Sequence, residues 1–298
     1  MTDASGGNAK RIVVAGSTGY LGKFATREFN QRGYRVRALA RSVERLEEPG
    51  PFTAPAIPRA EIDDVFVGEA TKPETLEGLF DGGVDIVFSS LGISRQRDGL
   101  TFEKVDYQAN RNLIDLCIEH GVRKFVYVSM LGHEQIAHLA ITKAHERVVA
   151  DLEASGLEYA IVRPSGYFSD MGAIIDMAKR GRVYLVGEGT NLFNPIHGAD
   201  LAAVCADAAA GDDLVVEAGG PDVLSQRDAA ELAFDVLDKP PKITVIPLWL
   251  AYGLARFIGV LNRQFGDLAQ FIVTAGEVDG VGPARGKITL RSYFEELA

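Results

Sequence analysis

Cysteine is scarce in this chain, whose 298 residues include only Cys117 and Cys205. Both occupy apolar positions of predicted helices, where a free thiol packs as a small hydrophobic side chain. Two isolated thiols do not form the disulfide framework typical of small secreted domains. We therefore expect buried, reduced cysteines and a cytoplasmic protein.

Long apolar runs are also missing. The most hydrophobic stretch, residues 243–255, lies between Lys242 and Arg256 and has 13 residues, fewer than the ~20 that cross a bilayer. It predicts a buried or interfacial helix, so no transmembrane segment is expected. The first ten residues are small and polar, which argues against a signal peptide and predicts a flexible tail over 1–10.

Basic residues are the minority among the charges. The chain has 31 Lys and Arg against 41 Asp and Glu, a net charge of -10. This charge would repel a phosphate backbone, so nucleic acid is not expected as a partner, although a local basic pocket remains compatible with it. The hydrophobic content of 47% is enough for a large α/β core, with or without a smaller lobe.

Short β-branched runs alternate with helical patterns from Arg11 to about Arg163, which is typical of successive βαβ units and a parallel sheet. Four prolines within 49–58 predict a surface loop. The expected fold class is α/β, a Rossmann-type doubly wound sheet. The dinucleotide-binding domain is expected over 11–165, and 166–298 is expected to form a smaller substrate-side lobe with C-terminal helices rather than an independent domain.

The predicted strands of the sheet are 12–15, 34–39, 64–67, 85–88, 124–128 and 159–162, and the predicted helices between them are 20–31, 101–119 and 136–154. Beyond Pro164 the alternation loosens, and 182–186 and 215–218 are predicted as short strands among helices.

A glycine-rich turn follows the first predicted strand and opens a helix. Gly16 permits the tight turn, Gly19 lets the backbone approach a diphosphate at the helix N-terminus, and Gly22 allows close packing on the sheet. An ordinary structural turn is the alternative, but the strand before it and the helix after it favour a dinucleotide. The expected cofactor-binding turn is Gly16, Ser17, Thr18, Gly19, Tyr20, Leu21 and Gly22.

The choice between NAD and NADP depends on the end of the second strand. An acidic residue there would bind the ribose hydroxyls of NAD, but the sequence has Arg37 and Arg41, with no carboxylate before Glu44. A guanidinium can bind a 2′-phosphate through two charge-assisted bonds, so NADP(H) is preferred over NAD(H). Arg41 is the better candidate because it lies just past the strand. An exposed loop arginine without a ligand is the alternative.

These residues resemble an atypical short-chain dehydrogenase/reductase, in the group of NmrA-like proteins, isoflavone-reductase-like enzymes and divinyl chlorophyllide reductases. The resemblance covers nearly the whole chain, and the later motifs are most similar to the divinyl chlorophyllide reductase branch. Besides the glycine turn, it rests on the segments 68–70, 89–92, 107–113, 126–129, 163–168, 194–201, 219–221 and 291–294.

The resemblance implies the positions of further cofactor contacts. Glu69 and Ala70 would flank the adenine, and Ser90, Leu91 and Gly92 would line the ribose. The turn over 164–168, formed by Pro164, Ser165, Gly166, Tyr167 and Phe168, would meet the nicotinamide.

The catalytic pair of the superfamily is incomplete in this sequence. Typical members have Tyr four residues before Lys on one helix face, so that the ammonium lowers the phenol pKa and holds the nicotinamide ribose. Lys143 fits the Lys position, but Leu139 stands where the Tyr is expected; Ser129 fits the serine position. Reduction of a conjugated C=C bond needs mainly cofactor alignment, which favours that chemistry over carbonyl reduction.

Two side chains are candidate replacement acids. Tyr167 is placed near the nicotinamide by the resemblance, with core packing as an equal alternative, whereas His138 is better explained as a solvated helix residue. The histidines at 133, 138 and 145 match no common metal-ligand spacing, so no metal is expected.

Two later segments have alternative interpretations. The Asn194–Asp200 segment is expected to be structural, with Asp200 capping a helix, although His197 would otherwise meet substrate. The aromatic residues Trp249, Tyr252, Phe257 and Phe265 are expected in the core, or else lining a pocket for a large flat substrate.

The sequence as a whole predicts an NADPH-dependent reductase of a hydrophobic, conjugated small molecule, with Lys143, Ser129 and Tyr167 as catalytic residues. A non-catalytic NADP(H)-binding redox sensor, with a protein partner, is one alternative. An accessory subunit of a larger complex is another, because fold does not fix function.

Overall fold

The fold is built on one seven-stranded sheet. A computed structural model describes residues 9–93 and 100–298. All neighbouring strands of this sheet run parallel, in the order β3-β2-β1-β4-β5-β6-β9. Its strands are β1 (Arg11–Ala15), β2 (Arg35–Ala40), β3 (Asp64–Val67), β4 (Ile86–Ser89), β5 (Lys124–Val128), β6 (Glu158–Pro164) and β9 (Val215–Ala218). The order reverses after β1, which confirms the predicted doubly wound α/β class.

Four short strands form two small sheets beside the main one. Strand β7 (Val183–Val186) pairs with β11 (Ile243–Ile246) in parallel. Strand β8 (Leu192–Phe193) pairs with β10 (Leu224–Ser225) in the antiparallel direction. The α-helices of the described chain are α1 (Tyr20–Gln31), α2 (Glu44–Glu47), α3 (Ala109–Glu119), α4 (Ala140–Ala154), α5 (Phe168–Lys179), α6 (Gly198–Ala210), α7 (Gln226–Val236), α8 (Leu248–Leu261), α9 (Arg263–Ala275) and α10 (Leu290–Leu297).

Both faces of the sheet are buried, which explains the nearly continuous apolar strands. On one face, Ile12 and Val14 of β1 pack with α1 and α6. On the other face, Val13 and Ala15 pack with side chains from α3 and α4. The two cysteines lie one on each side and are fully buried. Burial raises the pKa of both thiols.

The later part of the chain completes the main sheet. Strand β9 pairs with β6, with Ile161 opposite Val215, and α6 packs against α1. The predicted short strand at 215–218 is therefore the seventh strand of the sheet. The predicted boundary at residue 165 falls between β6 and β9, so the main sheet contains strands from both sides of that boundary.

Two predicted helices begin differently. The segment expected over 101–119 starts as a π-helical stretch, Glu103–Gln108, before α3. The segment expected from residue 136 becomes helical only at Ala140, and Gly132 in the preceding turns has a φ of +69°. The loop predicted at 49–58 lies outside the sheet strands and the α-helices.

The prediction for 243–255 as one helix is wrong in its first part. Residues 243–246 form β11, and the helix begins only after Pro247, the residue that caps α8. Trp249 and Phe257 are 74% and 60% exposed, so the expected core position is also wrong for them, as it is for the exposed Phe265. Short apolar runs do not distinguish strand from helix by periodicity.

In the described residues, no helix is both long and apolar enough to cross a membrane. Of the predicted tail over 1–10, residues 1–8 lie outside the described residues, while Ala9 and Lys10 are exposed.

Candidate dinucleotide-binding and reaction site

The glycine turn between β1 and α1 requires residues without a Cβ atom. Gly16 has a φ of +84°, a left-handed conformation that favours glycine. A Cβ on Gly22 would lie 1.9 Å from the Gly16 carbonyl oxygen, so the first turn of α1 and the end of β1 meet backbone to backbone. A Cβ on Gly19 would meet only that same oxygen, at 3.2 Å. The space outside Gly19 is therefore open to a ligand.

The N-terminus of α1 is free to bind an anion. Its capping residue is Gly19, and no side chain accepts a hydrogen bond from the first amides of the helix. Such amides, together with the helix dipole, favour a phosphate group. The turn is held from behind, because the buried Ser17 hydroxyl donates to the Leu39 carbonyl at 2.7 Å. These features fit a diphosphate.

The other members of the predicted turn have different surroundings. Leu21 is buried in the core, and Thr18 is half-buried. The Tyr20 hydroxyl accepts a hydrogen bond from the Gly198 amide at 3.1 Å and so joins α1 to α6. Burial raises the pKa of Tyr20 above its usual value. Tyr20 thus has a structural partner beside its predicted place in the cofactor turn.

Arg41 lies at the rim of an open cavity past the end of β2. The cavity has a volume of about 610 Å³ and is lined by Arg41, Glu69, Thr71, Lys72, Leu100, Lys104 and Gln108. Glu69, the carboxylate that lines the cavity among the described residues, is bound to Lys72 at 2.8 Å, and this bond lowers the pKa of Glu69. The three cations at Arg41, Lys72 and Lys104 make the cavity suited to a phosphate.

Arg37 has a different role from Arg41. Its guanidinium binds Asp64 at 2.7 Å and the Leu79 carbonyl at 2.6 Å. It therefore ties β2 to β3 and to the turn after residue 78. Arg41 is exposed and lines the cavity, whereas the Arg37 guanidinium already has protein partners.

The predicted adenine and ribose positions lie at the ends of β3 and β4. Ala70 is buried, and its carbonyl accepts from the Asn112 side chain at 2.9 Å. The Ser90 amide donates to the Ala15 carbonyl at 3.1 Å, which places Ser90 beside Gly16. Leu91 and Gly92 follow in the same turn. The parallel pairing of β1 with β4 thus brings Ser90 to the glycine turn.

A buried polar chain supports the turn after β4. Asp106 in the π-helical segment accepts from the Ile93 amide at 3.3 Å and lies 3.3 Å from His145 Nε2. The other ring nitrogen of His145 is 2.7 Å from the Tyr127 hydroxyl. π-Helical segments are frequent at functional sites. Here the segment fixes the loop that carries the predicted ribose contacts.

Ser129 lies in a second polar network, at the ends of β5 and β6. Its hydroxyl donates to Glu146 Oε1 at 3.1 Å and accepts from Arg163 at 3.3 Å. Arg163 also binds both oxygens of Glu146, at 2.8 and 2.9 Å. Since Ser129 donates its proton to Glu146, it is not free to donate to a substrate in this arrangement.

The electrostatics of this network keep Glu146 ionised. Burial opposes its charge, but the bonds and charge of Arg163 outweigh burial and hold the pKa of Glu146 below its usual value. His133 Nε2 lies 3.4 Å from the same carboxylate. The sequence prediction missed Glu146 and Arg163. The available signals were that Glu146 shares a helix face with Lys143 at i,i+3 and that Arg163 opens the segment 163–168 named in the resemblance.

Lys143 and Leu139 lie at the start of α4 and differ in environment. Lys143 is exposed, and its ammonium has no partner among residues 9–93 and 100–298. Leu139 caps α4 and is buried in an apolar cluster with Ile136 and Ile141, against which Leu268 and Phe271 of α9 pack. The position four residues before the lysine is thus an apolar contact with α9.

The turn from Pro164 to Tyr167 connects β6 to α5. The Ser165 amide donates to the Ala218 carbonyl at 3.0 Å, its hydroxyl donates to the Asn194 carbonyl, and Gly166 has a φ of +147°. The Tyr167 ring packs edge-on to Tyr20 with centroids 6.4 Å apart, and burial raises the pKa of its phenol. This environment favours the packing interpretation of Tyr167. His138, the other candidate acid, is exposed.

The Asn194–Asp200 segment anchors the C-terminal part of the chain. Asn194 bonds to Gly220 and Gly282, and Asp200 accepts from the amides of residues 287 and 288 at 2.8 Å. The expected cap was assigned to the wrong residue, because His197 caps α6 through Nδ1 at 3.2 Å. Within the described ranges, no three or more His, Cys, Asp or Glu side chains group as metal ligands.

Comparison with known proteins now decides the family. A profile described as NAD(P)H-binding matches residues 16–212, from the glycine turn to the end of α6. The chain belongs to the NAD(P)H-binding family. The resemblance to atypical short-chain dehydrogenase/reductases is confirmed.

Curated relatives cover most of the chain. Divinyl chlorophyllide a 8-vinyl-reductase of Arabidopsis thaliana is 28% identical over 320 residues, covering 96% of this chain and 76% of that protein. The photosystem II assembly factor Ycf39 of Guillardia theta is 26% identical over 196 residues, covering 64% of this chain and 58% of that protein.

A solved structure shares the fold. The NADPH-dependent quinone oxidoreductase QOR2 of Escherichia coli, crystallised with NADPH, has a TM-score of 0.74 to this chain at 19% identity, with 96% of this chain and 99% of that chain covered.

Proposed function

We propose that this protein is an NADPH-dependent reductase that reduces a conjugated C=C bond of an apolar small molecule. The observation that carries the proposal is the pairing of two sites at one edge of the sheet. The glycine turn and the Arg41 cavity fit a dinucleotide phosphate, while the position expected to hold a phenol carries the buried Leu139. The name of the Arabidopsis relative, a vinyl reductase, supports the same bond type.

The preference for NADP(H) rests on the charges around the cavity. Glu69 is paired with Lys72, while Arg41 is exposed and Lys104 also lines the cavity. In this arrangement Arg41 would bind the 2′-phosphate, and the amides at the start of α1 would bind the diphosphate. Lys143 would hold the nicotinamide ribose, with the 164–166 turn beside the ring.

The reaction needs little acid catalysis from the chain. Lys143 would orient the ribose of a bound NADPH. NADPH would supply the hydride for one carbon of the conjugated double bond, and solvent would supply the proton for the other carbon. The Arg163–Glu146 pair would position Ser129, and Leu139, which is buried against α9, would take no part in proton transfer. No phenol at position 139 is required.

Two measurements test the proposal. Calorimetric titration of the purified protein should show tighter binding of NADPH than of NADH. With NADPH, enones, quinones and divinyl tetrapyrroles should include a substrate that causes loss of the NADPH absorbance, and mass analysis should show a gain of two hydrogens at the C=C bond. Lys143→Ala should lower this turnover. Failure of every substrate despite NADPH binding would contradict the reductase and leave the cofactor site standing.

A non-catalytic role is the second candidate, and the similarity to an assembly factor favours it. In that case the cofactor would act as a structural element or redox signal. Lys143→Ala would then alter at most stability, and the protein would copurify with a larger complex. A partner whose affinity differs between the NADPH-bound and NADP⁺-bound forms would identify the sensor variant of this candidate.

A further inference from the structure

The hairpin formed by α8 and α9 carries a large exposed apolar surface. Val260 is 81% exposed, and the most exposed aromatic residue is Trp249, at 74%. We call this surface the apolar hairpin face. It consists of Trp249, Leu250, Leu254, Phe257, Val260, Leu261, Phe265 and Ile272, each at least 47% exposed.

Helix geometry shows that this face is continuous on α8. At 100° per residue, the exposed apolar positions of α8 fall within an arc of about 140°, and the buried Ala251 and Ala255 lie on the opposite side. Arg256, the one charged residue of α8, lies at the edge of the arc. An isolated helix of a monomer normally shows the reverse pattern, with its polar side towards water.

The area of the face matches that of a stable protein interface. At roughly 150–250 Å² for a large side chain, the exposed fractions correspond to on the order of 1,000 Å². Monomers rarely expose contiguous apolar patches of more than ~300–600 Å². A standard interface buries ~800 Å² on each partner, so one face of this size is sufficient for a dimer.

We propose that the apolar hairpin face binds the same face of a second copy of this chain, forming a symmetric dimer through a four-helix contact. A twofold interface must be self-complementary. A face that is apolar throughout satisfies this condition, because its side chains can pack against the same side chains of the second copy. The adjacent groove between α8 and α9, lined in part by Arg256, Arg263 and Asp267, supplies charges of both signs at its edge.

Charge favours a second copy over a lipid surface. Helices that lie on membranes have many Lys and Arg residues along their polar side, whereas α8 has one basic residue and the chain has a net charge of -10. An anionic bilayer would repel this chain. Two copies also repel each other, but salt screens charges beyond ~8 Å, and α8 itself carries no acidic residue.

The dimer would also support the reaction site. The inner side of α9 contributes Leu268 and Phe271 to the cluster around Leu139. A partner packed on the outer side of the hairpin would hold this wall in place. Binding between copies does not depend on the proposed reductase activity.

Sedimentation equilibrium of the full chain tests the proposal. At micromolar concentrations we expect twice the chain mass of 32.1 kDa. Phe257→Glu should raise the dimer dissociation constant at least about 100-fold, because it places a charge in the centre of an apolar interface. Leu214→Glu is the matched control, since Leu214 is 55% exposed outside the hairpin, and it should leave the dimer intact.

Circular dichroism separates loss of the dimer from loss of the fold. If Phe257→Glu is unfolded, Trp249→Glu at the other end of α8 takes its place. A wild-type protein that is monomeric at all these concentrations would overturn the proposal, and so would a dimer that both hairpin variants leave unchanged. Flotation of a monomeric wild type with phosphatidylcholine vesicles would instead assign the face to a lipid surface.

Discussion

The cofactor side and the reaction side of the site are specified in different ways. On the cofactor side, the backbone forms the site: Gly16 and Gly22 are in direct backbone contact, and the first amides of α1 have no side-chain acceptor. On the reaction side, side chains form the site, because Ser129, Glu146 and Arg163 come from three separate elements and are joined by hydrogen bonds between their side chains. The first kind of site tolerates few substitutions, while the second can change its chemistry by exchanging one residue.

The strongest test of the backbone-determined side is Gly22→Ala. Its Cβ would lie 1.9 Å from a carbonyl oxygen, so α1 must move away from β1. We expect a loss of about 3 kcal/mol or more in the free energy of unfolding, together with loss of dinucleotide binding, measured by denaturant unfolding and calorimetry. Gly253→Ala is the control, because a Cβ there meets nothing within 4 Å. Equal stability of both variants would refute the close contact.

On the reaction side, Glu146→Gln removes the charge that faces Arg163. We expect a loss of about 2 kcal/mol in unfolding free energy, since the largely buried guanidinium loses its carboxylate. The variant keeps the size of the side chain, so the effect reports charge. Urea unfolding at neutral pH measures it, and Glu231→Gln, at a position outside the network, is a matched control.

The same carboxylate predicts a pH dependence. The pKa of Glu146 is lower in the folded chain than its ordinary value of 4.5, since Arg163, His133 and Ser129 outweigh the effect of burial. The unfolded chain therefore takes up the proton first, and stability declines as the pH falls below about 4.5 and through the folded pKa. Glu146→Gln should have a shallower decline over this range than the wild type. Parallel curves would show that Glu146 does not contribute.

Leu139→Tyr tests whether a phenol at position 139 is sufficient for carbonyl reduction. Leu139 is packed against α9, so a larger polar side chain should cost about 1–3 kcal/mol of stability without giving carbonyl reduction. Unfolding curves and a ketone reduction assay measure the two effects, with Leu139→Met as the apolar control. A stable variant that reduces ketones would mean that position 139 faces the cofactor.

The smallest effect is expected for Arg41→Ala, which removes one charge from the cofactor side. NADPH binding should weaken about tenfold, or 1.4 kcal/mol, and NADH binding should stay within about twofold. Calorimetry with both nucleotides gives the ratio. Arg35→Ala is the matched control, because Arg35 is exposed at the opposite end of β2.

The same division explains what could be predicted from the sequence. The glycine turn and the strands of the sheet are local patterns, so their positions followed from spacing and β-branched composition. The Ser129–Glu146–Arg163 contact joins residues 17 and 34 positions apart, and no local pattern records it. The segment 243–255 is largely apolar, but this composition does not show that it contains a strand, then a proline, then a helix. Apolar side chains are normally buried, so the exposure of α8 could not be predicted from composition either.

The pairing of β9 with β6 has a consequence for how the chain is made. The polypeptide is synthesised from its N-terminus. Until the segment through residue 218 has left the ribosome, the edge of β6 that pairs with β9 and the side of α1 that packs on α6 are exposed. During that interval the unfinished sheet offers unpaired backbone groups to other nascent chains. Arrest of synthesis at this stage would thus leave a species prone to aggregation, and a truncation at residue 165 would make that state permanent.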